Sequence, residues 1–313
     1  MGRVEPLWVT HLKLFFVASA WGVAWTAGRW LALDLPPITG AWLRYFIAVP
    51  IFITWLFIAE GRGYPTRGEW KRIIVIGFFS TFLYQVFFMF GMGNTAAGDA
   101  SLVITFNPLF TALLAIPFLG RPITRRLGGG LALGVAGIAV IFSQSPNVSI
   151  PADERMLGDA LIAIAALSWA CSTILMKRAM SEPAPDADSP MSPLALTVWA
   201  STVGLLLLTP WAGWESIENG IPTIGLWTWV SILFLAIVST VMSYVWFASG
   251  VEKIGAAQSS LYVYLVPPFG ILAGWILLDE QLGWALVLSF ILIISGVILA
   301  SSHPPDKLSE TTQ

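Results

Sequence analysis

The chain has 313 residues, of which 57% are apolar and only 11% charged, with a net charge of −2. An ordinary globular domain carries roughly 25% charged residues. That composition excludes a soluble fold, which would have too little polar surface.

Apolar runs of about 20 residues, the length a helix needs to cross a hydrocarbon core of about 30 Å, recur from one end to the other. In chain order they are Leu12 to Leu33, Ile38 to Ala59, Ile73 to Met92, Ala100 to Leu119, Leu127 to Phe142, Leu157 to Met176, Leu194 to Trp211, Leu226 to Ala248, Ala256 to Leu278 and Trp284 to Ala300. The first follows a short basic start but continues past Trp21, Trp25 and Trp30 without a cleavage site, so it reads as a retained helix. Spanning strands would show alternating segments of about 10 residues, whereas these runs are apolar on every side. The expected fold is all-α and integral to the membrane, with ten transmembrane helices.

Basic residues set the orientation, because cytoplasmic loops hold an excess of Lys and Arg. With the N-terminus inside, the groups Arg62, Arg67, Lys71 and Arg72, then Arg121, Arg125 and Arg126, then Lys177 and Arg178 all fall inside, as do Arg3, Lys13, Lys253 and Lys307. Only Arg29 and Arg155 fall outside, and Arg44 lies within a span. The expectation is a multi-pass protein of the cell (inner or plasma) membrane with both termini cytoplasmic. Cys171, the single cysteine, excludes a disulfide framework and reads as a packing residue. The sequon at Asn147 falls in an expected outer loop. The segment Ser181 to Pro193 reads as a flexible cytoplasmic loop and the tail after Ser302 as disordered.

Self-comparison shows two copies of a five-helix unit. Residues Tyr84 to Phe110 match Ser243 to Phe269 at a fixed spacing, so that Gly91 faces Gly250, Ser101 faces Ser260 and Pro108 faces Pro267; Gly137 and Gly296 keep the same separation. Ala20, Trp21 and Gly22 match Ser168, Trp169 and Ala170 at a slightly shorter offset. An odd number of spans per unit inverts the second copy, giving repeats at 1–148 and 149–303 and a cytoplasmic tail at 304–313. Inverted repeats are the construction of secondary transporters, with the substrate site near the midplane and one half rocking against the other.

The first span carries Ala-Trp-Gly and the sixth Ser-Trp-Ala, the second holds Arg44, and Ala-Ser-Leu and Ser-Ser-Leu runs precede Pro108 and Pro267. In these elements the chain resembles the drug/metabolite transporter superfamily in its ten-helix EamA branch. The family's Leu-Gly-Glu ending of the fourth and ninth spans is partly kept: Leu119, Gly120 and Arg121 replace the acid with a base, and Leu278, Asp279 and Glu280 keep the acid without the glycine. The resemblance implies export of amino acids, aromatic ones included, or of similar small metabolites.

Ionisable residues inside a span mark ion or proton pathways, and few are expected here. Asp99, Asp159, Asp279 and Glu280 fall at helix ends, and His11 and His303 lie in the terminal regions. That pattern predicts a facilitator driven by the substrate gradient. Arg44, the sole deep-set charge, can meet a substrate carboxylate or backbone carbonyls. Trp21, Trp25, Tyr84, Gln85, Asn107, Trp169, Ser172, Ser243, Tyr244, Gln258 and Tyr262 are the candidate lining of an aromatic, uncharged polar cavity, or alternatively interfacial belts and helix packing. Pro108, Pro267 and Pro268 are candidate hinges, read as mid-span residues that free a carbonyl one turn earlier. The small-xxx-small pairs Gly130/Gly134 and Gly270/Gly274 read as helix contacts.

The function expected is a secondary transporter, an exporter or facilitator working by alternating access. Its partners would be a small-molecule substrate and membrane lipid, with no nucleic acid, and the chain a monomer or homodimer. The alternatives are a proton-coupled drug/metabolite antiporter and a non-transporting receptor or scaffold on the same fold. No catalytic set, metal cluster or cofactor is expected, and Gly128 to Gly130 lack the strand and Lys-Ser or Lys-Thr pair of a phosphate cradle.

Overall fold

In the computed structural model, which describes residues 6–61, 64–119, 124–220, 222–254, 259 and 262–301, each apolar run forms a helix over its described part, and no strand occurs among the described residues. The helices are α1 (Leu7–Asp34), α2 (Pro37–Glu60), α3 (Arg67–Asn94), α4 (Ala97–Phe118), α5 (Arg125–Gln144), α6 (Ala152–Ser181), α7 (Pro193–Asn219), α8 (Leu226–Gly250), α9 (Tyr262–Leu278) and α10 (Trp284–Ala300). The first eight are long and apolar enough to cross a membrane, and α9 and α10 are shorter apolar helices. Hydropathy marks only the apolar part of a helix, so the backbone ladder runs on past it. Thus α1 begins at Leu7, not Leu12, and α7 continues past Trp211 to Asn219. The face where α1 begins and α10 ends is called here the terminal face, and its opposite the far face.

Local chemistry explains where the helices start. The first turn of a helix leaves backbone N–H groups without partners. Thr66 and Glu69 close a reciprocal capping box on α3, and Thr124 and Ser192 cap α5 and α7 through their hydroxyls. Three further caps come from the other half of the chain. Glu215 on α7 accepts from Ile38 N and Thr39 N of α2 at 3.1 and 2.7 Å. Asp186 accepts from Gly68 N of α3, and Glu280 accepts from Ala97 N and Gly98 N of α4 at 2.6 and 2.9 Å. The 182–192 connection, expected to be flexible, is therefore bonded to the start of α3, and it buries Ala184 and Met191.

The main pairings all join the first five helices to the second five: α5 with α10, α3 with α6, α2 with α7, α1 with α9, and α4 with α6. Glycine lets the backbones approach where they cross. A Cβ on Gly130 would lie 2.5 Å from Gly296 O, and one on Gly22 would lie 2.8 Å from Val266 O. The expected Gly130/Gly134 contact is thus the α5–α10 seam, with Gly134 against Phe106 and Leu109. Gly270 meets Ser101 of α4, and Gly274 meets Glu280.

Both units carry the same backbone irregularities. α3 passes through a π-helical stretch at Phe78–Leu83 and α8 through one at Phe234–Met242. Such stretches leave carbonyls misaligned with the i→i−4 ladder. Ser168 Oγ of α6 donates to Phe79 O at 2.8 Å and Trp21 Nε1 of α1 donates to Ser239 O at 3.0 Å. Each unit's first helix is thereby tied to the π segment of the other. α4 contains a 3-10 turn at Ile104–Phe106, and α9 opens with one at Tyr262–Leu265. Pro108, Pro267 and Pro268 all follow these turns, in the first turn of an α segment, where proline's missing N–H breaks no bond. Pro108 lies midway along α4, and Pro267 and Pro268 lie nearer the start of α9.

Candidate functional site

The inner surfaces of α1, α2, α3, α4, α6, α8 and α9 enclose a cavity of about 230 Å3. Seven of the expected lining residues meet there: Trp21, Trp25, Arg44, Tyr84, Asn107, Trp169 and Tyr244, together with Pro108. Trp21 owes its place to the indole bond to Ser239 O and stands edge-on to Tyr244 with ring centres 6.1 Å apart. Tyr84 stacks on Phe88 at 5.9 Å and meets Trp169 edge-on at 5.4 Å, and Trp25 packs on Phe88 at 5.3 Å. Asn107 Oδ1 accepts from Thr111 Oγ1 at 3.2 Å.

Arg44 is the one charged side chain among the lining residues. Its Nε and Nη2 both donate to Thr240 Oγ1, at 3.1 and 2.9 Å, and its guanidinium carbon lies 5.6 Å from the Tyr45 ring centre. Thr240 Oγ1 in turn donates to Leu235 O within the π segment of α8. A guanidinium has five N–H donors, so this anchorage fixes the head of Arg44 while leaving donors for a ligand. A planar cation held among aromatic rings binds a carboxylate and orients it.

Other expected site residues lie elsewhere. Gln85 is fully buried beside Tyr84 in sequence but on another side of α3, and neither of its amide atoms has a partner. Ser172 and Ser243 are buried, with their hydroxyls turned back to Trp169 O and Val238 O. Tyr262 binds His11 Nδ1 through its hydroxyl at 2.7 Å, near the terminal face. Pro267 is buried behind the lining, Pro268 is exposed, and Gln258 lies outside the described residues. Lining residues that sequence reasoning missed include Tyr45, Phe88, Thr105, Ser239 and Tyr264. Phe88 was within reach, four residues beyond Tyr84 and so on the same face. Ser239 was not, because an i+5 stretch rotates the faces of α8. A second cavity of about 260 Å3 sits between α2 and α7, lined by Trp42, Thr209 and their neighbours without an ionisable group.

The expectation that the interior holds almost no ionisable group needs correction. Asp99 and Asp159 do fall near the starts of α4 and α6, but both are 0% exposed. The 145–151 connection and the 279–283 connection cover those helix starts. Asn147 Nδ2 donates to Asp99 Oδ1 at 3.1 Å, Asn147 Oδ1 accepts from Gln281 N at 2.8 Å, and Arg155 Nη1 donates to Asn147 O at 3.3 Å. Thr95 Oγ1 donates to Asp159 Oδ1 at 2.5 Å. Asn147 is only 2% exposed, so its sequon is closed to modification in this fold. At the rim, burial pushes the Glu280 carboxyl above its ordinary range, against the N–H groups of Gly98 and Ala97 and the charge of Arg29. Among the described residues, no three His, Cys, Asp or Glu side chains are grouped to hold a metal.

The model of the EamA-like transporter family matches residues 8–143 and again residues 156–302. A protein of Archaeoglobus fulgidus described as an uncharacterized transporter is 26% identical over 293 residues, covering 94% of this chain and 97% of that one. Probable amino-acid metabolite efflux pumps of Escherichia coli and Salmonella typhimurium are 27% and 29% identical, each aligned over 90% of this chain and 91% of its own length. A crystal structure 19% identical in sequence superposes with a TM-score of 0.61, covering 94% of this chain and 96% of the other.

Proposed function

Because the chain belongs to the EamA-like transporter family, as a multi-pass membrane protein of transporter type, we propose that it moves small carboxylate-bearing metabolites, amino acids and aromatic amino acids among them, through the aromatic cavity by alternating access. In this reading the terminal face is cytoplasmic, the far face is external, and the transport is export or facilitated exit. The observation that carries it is a single guanidinium, Arg44, set in a cavity otherwise built of aromatic and uncharged side chains. A carboxylate is met by Arg44, and a flat apolar body by Trp21, Trp169 and Tyr84. An ammonium group finds the quadrupole of a ring face, an attraction of about 0.5–2 kcal/mol. The relatives described as amino-acid metabolite efflux pumps agree with such a ligand. The cavity volume of about 230 Å3 falls below the roughly 300–1,000 Å3 of drug-sized sites, which favours a metabolite over a bulky drug.

Counterflow into proteoliposomes with a panel of neutral, zwitterionic and anionic solutes tests the proposal. Saturable flux of an amino acid is expected. Arg44→Gln removes a charge-assisted contact of about 1.5–3 kcal/mol, so flux of carboxylates at low concentration should fall by about ten-fold or more while flux of neutral solutes falls less. Equal losses for both solute classes would refute the role given to Arg44. Selective transport of sugar phosphates would refute the substrate class.

A further inference from the structure

The cluster beneath the far face has one charge too many. Asp99 and Asp159 are fully buried, and the one cation beside them is Arg155, itself 5% exposed, with its Nε 3.9 Å from Asp99 Oδ2. Arg155 and Asp159 stand four residues apart and share one face of α6. Asp99 Oδ2, Asp159 Oδ2 and Arg155 Nε all lack hydrogen-bond partners. Glu280 is held by Ala97 N, Gly98 N and the charge of Arg29, and its own negative charge also acts on Asp99, which adds to the excess.

Among the described residues, no surrounding element supplies the missing charge. α9, α10 and the Tyr84–Asn94 part of α3 contain no Asp, Glu, Lys, Arg or His. α5 carries only Arg125 and Arg126, at its opposite end. On α1, Arg29 donates to Met92 O, Asp34 accepts from Thr228, and His11 and Lys13 are near the terminal face. Asp153 and Glu154 of α6 and Asp279 are exposed acids. Two buried carboxylates facing one guanidinium cannot both ionise without an uncompensated charge in a dry site. A metal cation is disfavoured by the guanidinium of Arg155, whose positive charge already stands 3.9 Å from Asp99 Oδ2.

We propose that Asp99 and Asp159 form a proton-binding site. While the far face is shut, the pair holds one proton taken from the water on that side, an O–H bond forming on one of the two carboxylates. Opening separates α4 from α6, wets both groups and returns the proton to the same water. Acid on the far side therefore favours closure, and one proton exchanged per opening changes the closed-to-open ratio by up to about tenfold per pH unit. Only the assignment of this face as external rests on the transporter reading; the proton site itself does not.

The test uses full-length protein in lipid nanodiscs without any solute, so its outcome is independent of what is transported. Spin labels at Ala152→Cys and Ile217→Cys, both exposed on the far face, on a Cys171→Ser background report the distance across that face. Between about pH 5 and about pH 8 the longer-distance population should grow as pH rises, and the slope should vanish in Asp159→Asn and in Asp99→Asn. In parallel, infrared difference spectra of the wild type should show a protonated-carboxyl C=O band that bleaches over the same pH interval and is missing from both variants. A slope that persists in either variant, or is lost only in Glu280→Gln, overturns the proposal. So does a wild type without the infrared band, or one in which sodium replaces the proton and abolishes the titration.

Discussion

Asp279 is the one non-glycine residue with a positive φ among those described, at 54°. It ends α9 with its N–H on Gly274 O, in the left-handed conformation that glycine adopts without a steric penalty. The Leu-Gly-Glu ending to which the sequence was likened has glycine at that place. Asp279 thus fills the glycine's conformational role, and Glu280, one residue on, still reaches the start of α4. Left-handed backbone costs most side chains about 1–2 kcal/mol and aspartate less. Asp279→Gly should therefore hold or raise the thermal midpoint in detergent, and Asp279→Val should lower stability by about 1–2 kcal/mol; a midpoint raised by valine would refute the account. Arg44 illustrates a different limit. Its depth was legible, but its anchorage was not, because Thr240 is 196 positions away and comes within reach only through the other repeat.

Helix caps and π segments belong to the next scale. The Gly68 N–H and the Thr66 hydroxyl hold Asp186 below the usual carboxylate range. A depressed folded value means that Asp186 supports the fold above its unfolded value, about 3.9, and that this support is lost as pH falls through the folded value. Glu280 has the opposite sign: burial raises its folded value, so its contribution weakens as pH climbs from its unfolded value toward the folded one. Asp186→Asn should lower the unfolding temperature near neutral pH and flatten its decline toward about pH 3. Thermal scans at a series of pH values would show it, and an unchanged acid limb would remove Asp186 from the account of acid lability.

The same scale shows what the sequence could convey. Periodicity and length give the helices, because an apolar run long enough to cross a bilayer has few other ways to satisfy its backbone. The π stretches and 3-10 turns are set by contacts between units, such as Trp21 to Ser239 O, and no local run of residues announces them. That is why Ser172 and Ser243 were expected in the cavity and Ser239 and Tyr264 were not. The turns before the prolines were hidden for the same reason: a 3-10 turn inside an unbroken apolar run has no hydropathic signature.

At the scale of the molecule, the two copies interlock instead of lying side by side. All the main pairings cross between them, so a tilt of one copy against the other would have to slide every one of these pairs. The α5–α10 seam is the most extensive of these. A Cβ on Gly296 would lie 2.5 Å from Gly130 O, whereas one on Gly128 meets nothing within 4 Å. Gly296→Val should destabilise the fold by about 1–3 kcal/mol through overpacking, and Gly128→Ala should be neutral or stabilise by up to about 1 kcal/mol through helix propensity. Equal midpoints for the two variants in thermal unfolding would contradict the seam. The duplication itself was legible from spacing, and the family model finds it as two separate matches.

Duplication also frees the two mouths of the bundle to differ. Had the copies stayed identical, every group placed at one mouth would recur at the other. Here the position matching Asp99 is Gln258, the one matching Glu280 is Arg121, and the one matching Asp159 is His11. The acids buried beneath the far face thus have neutral or basic counterparts at the matching positions of the other copy's sequence. Two halves that share one architecture need not share the chemistry written into it.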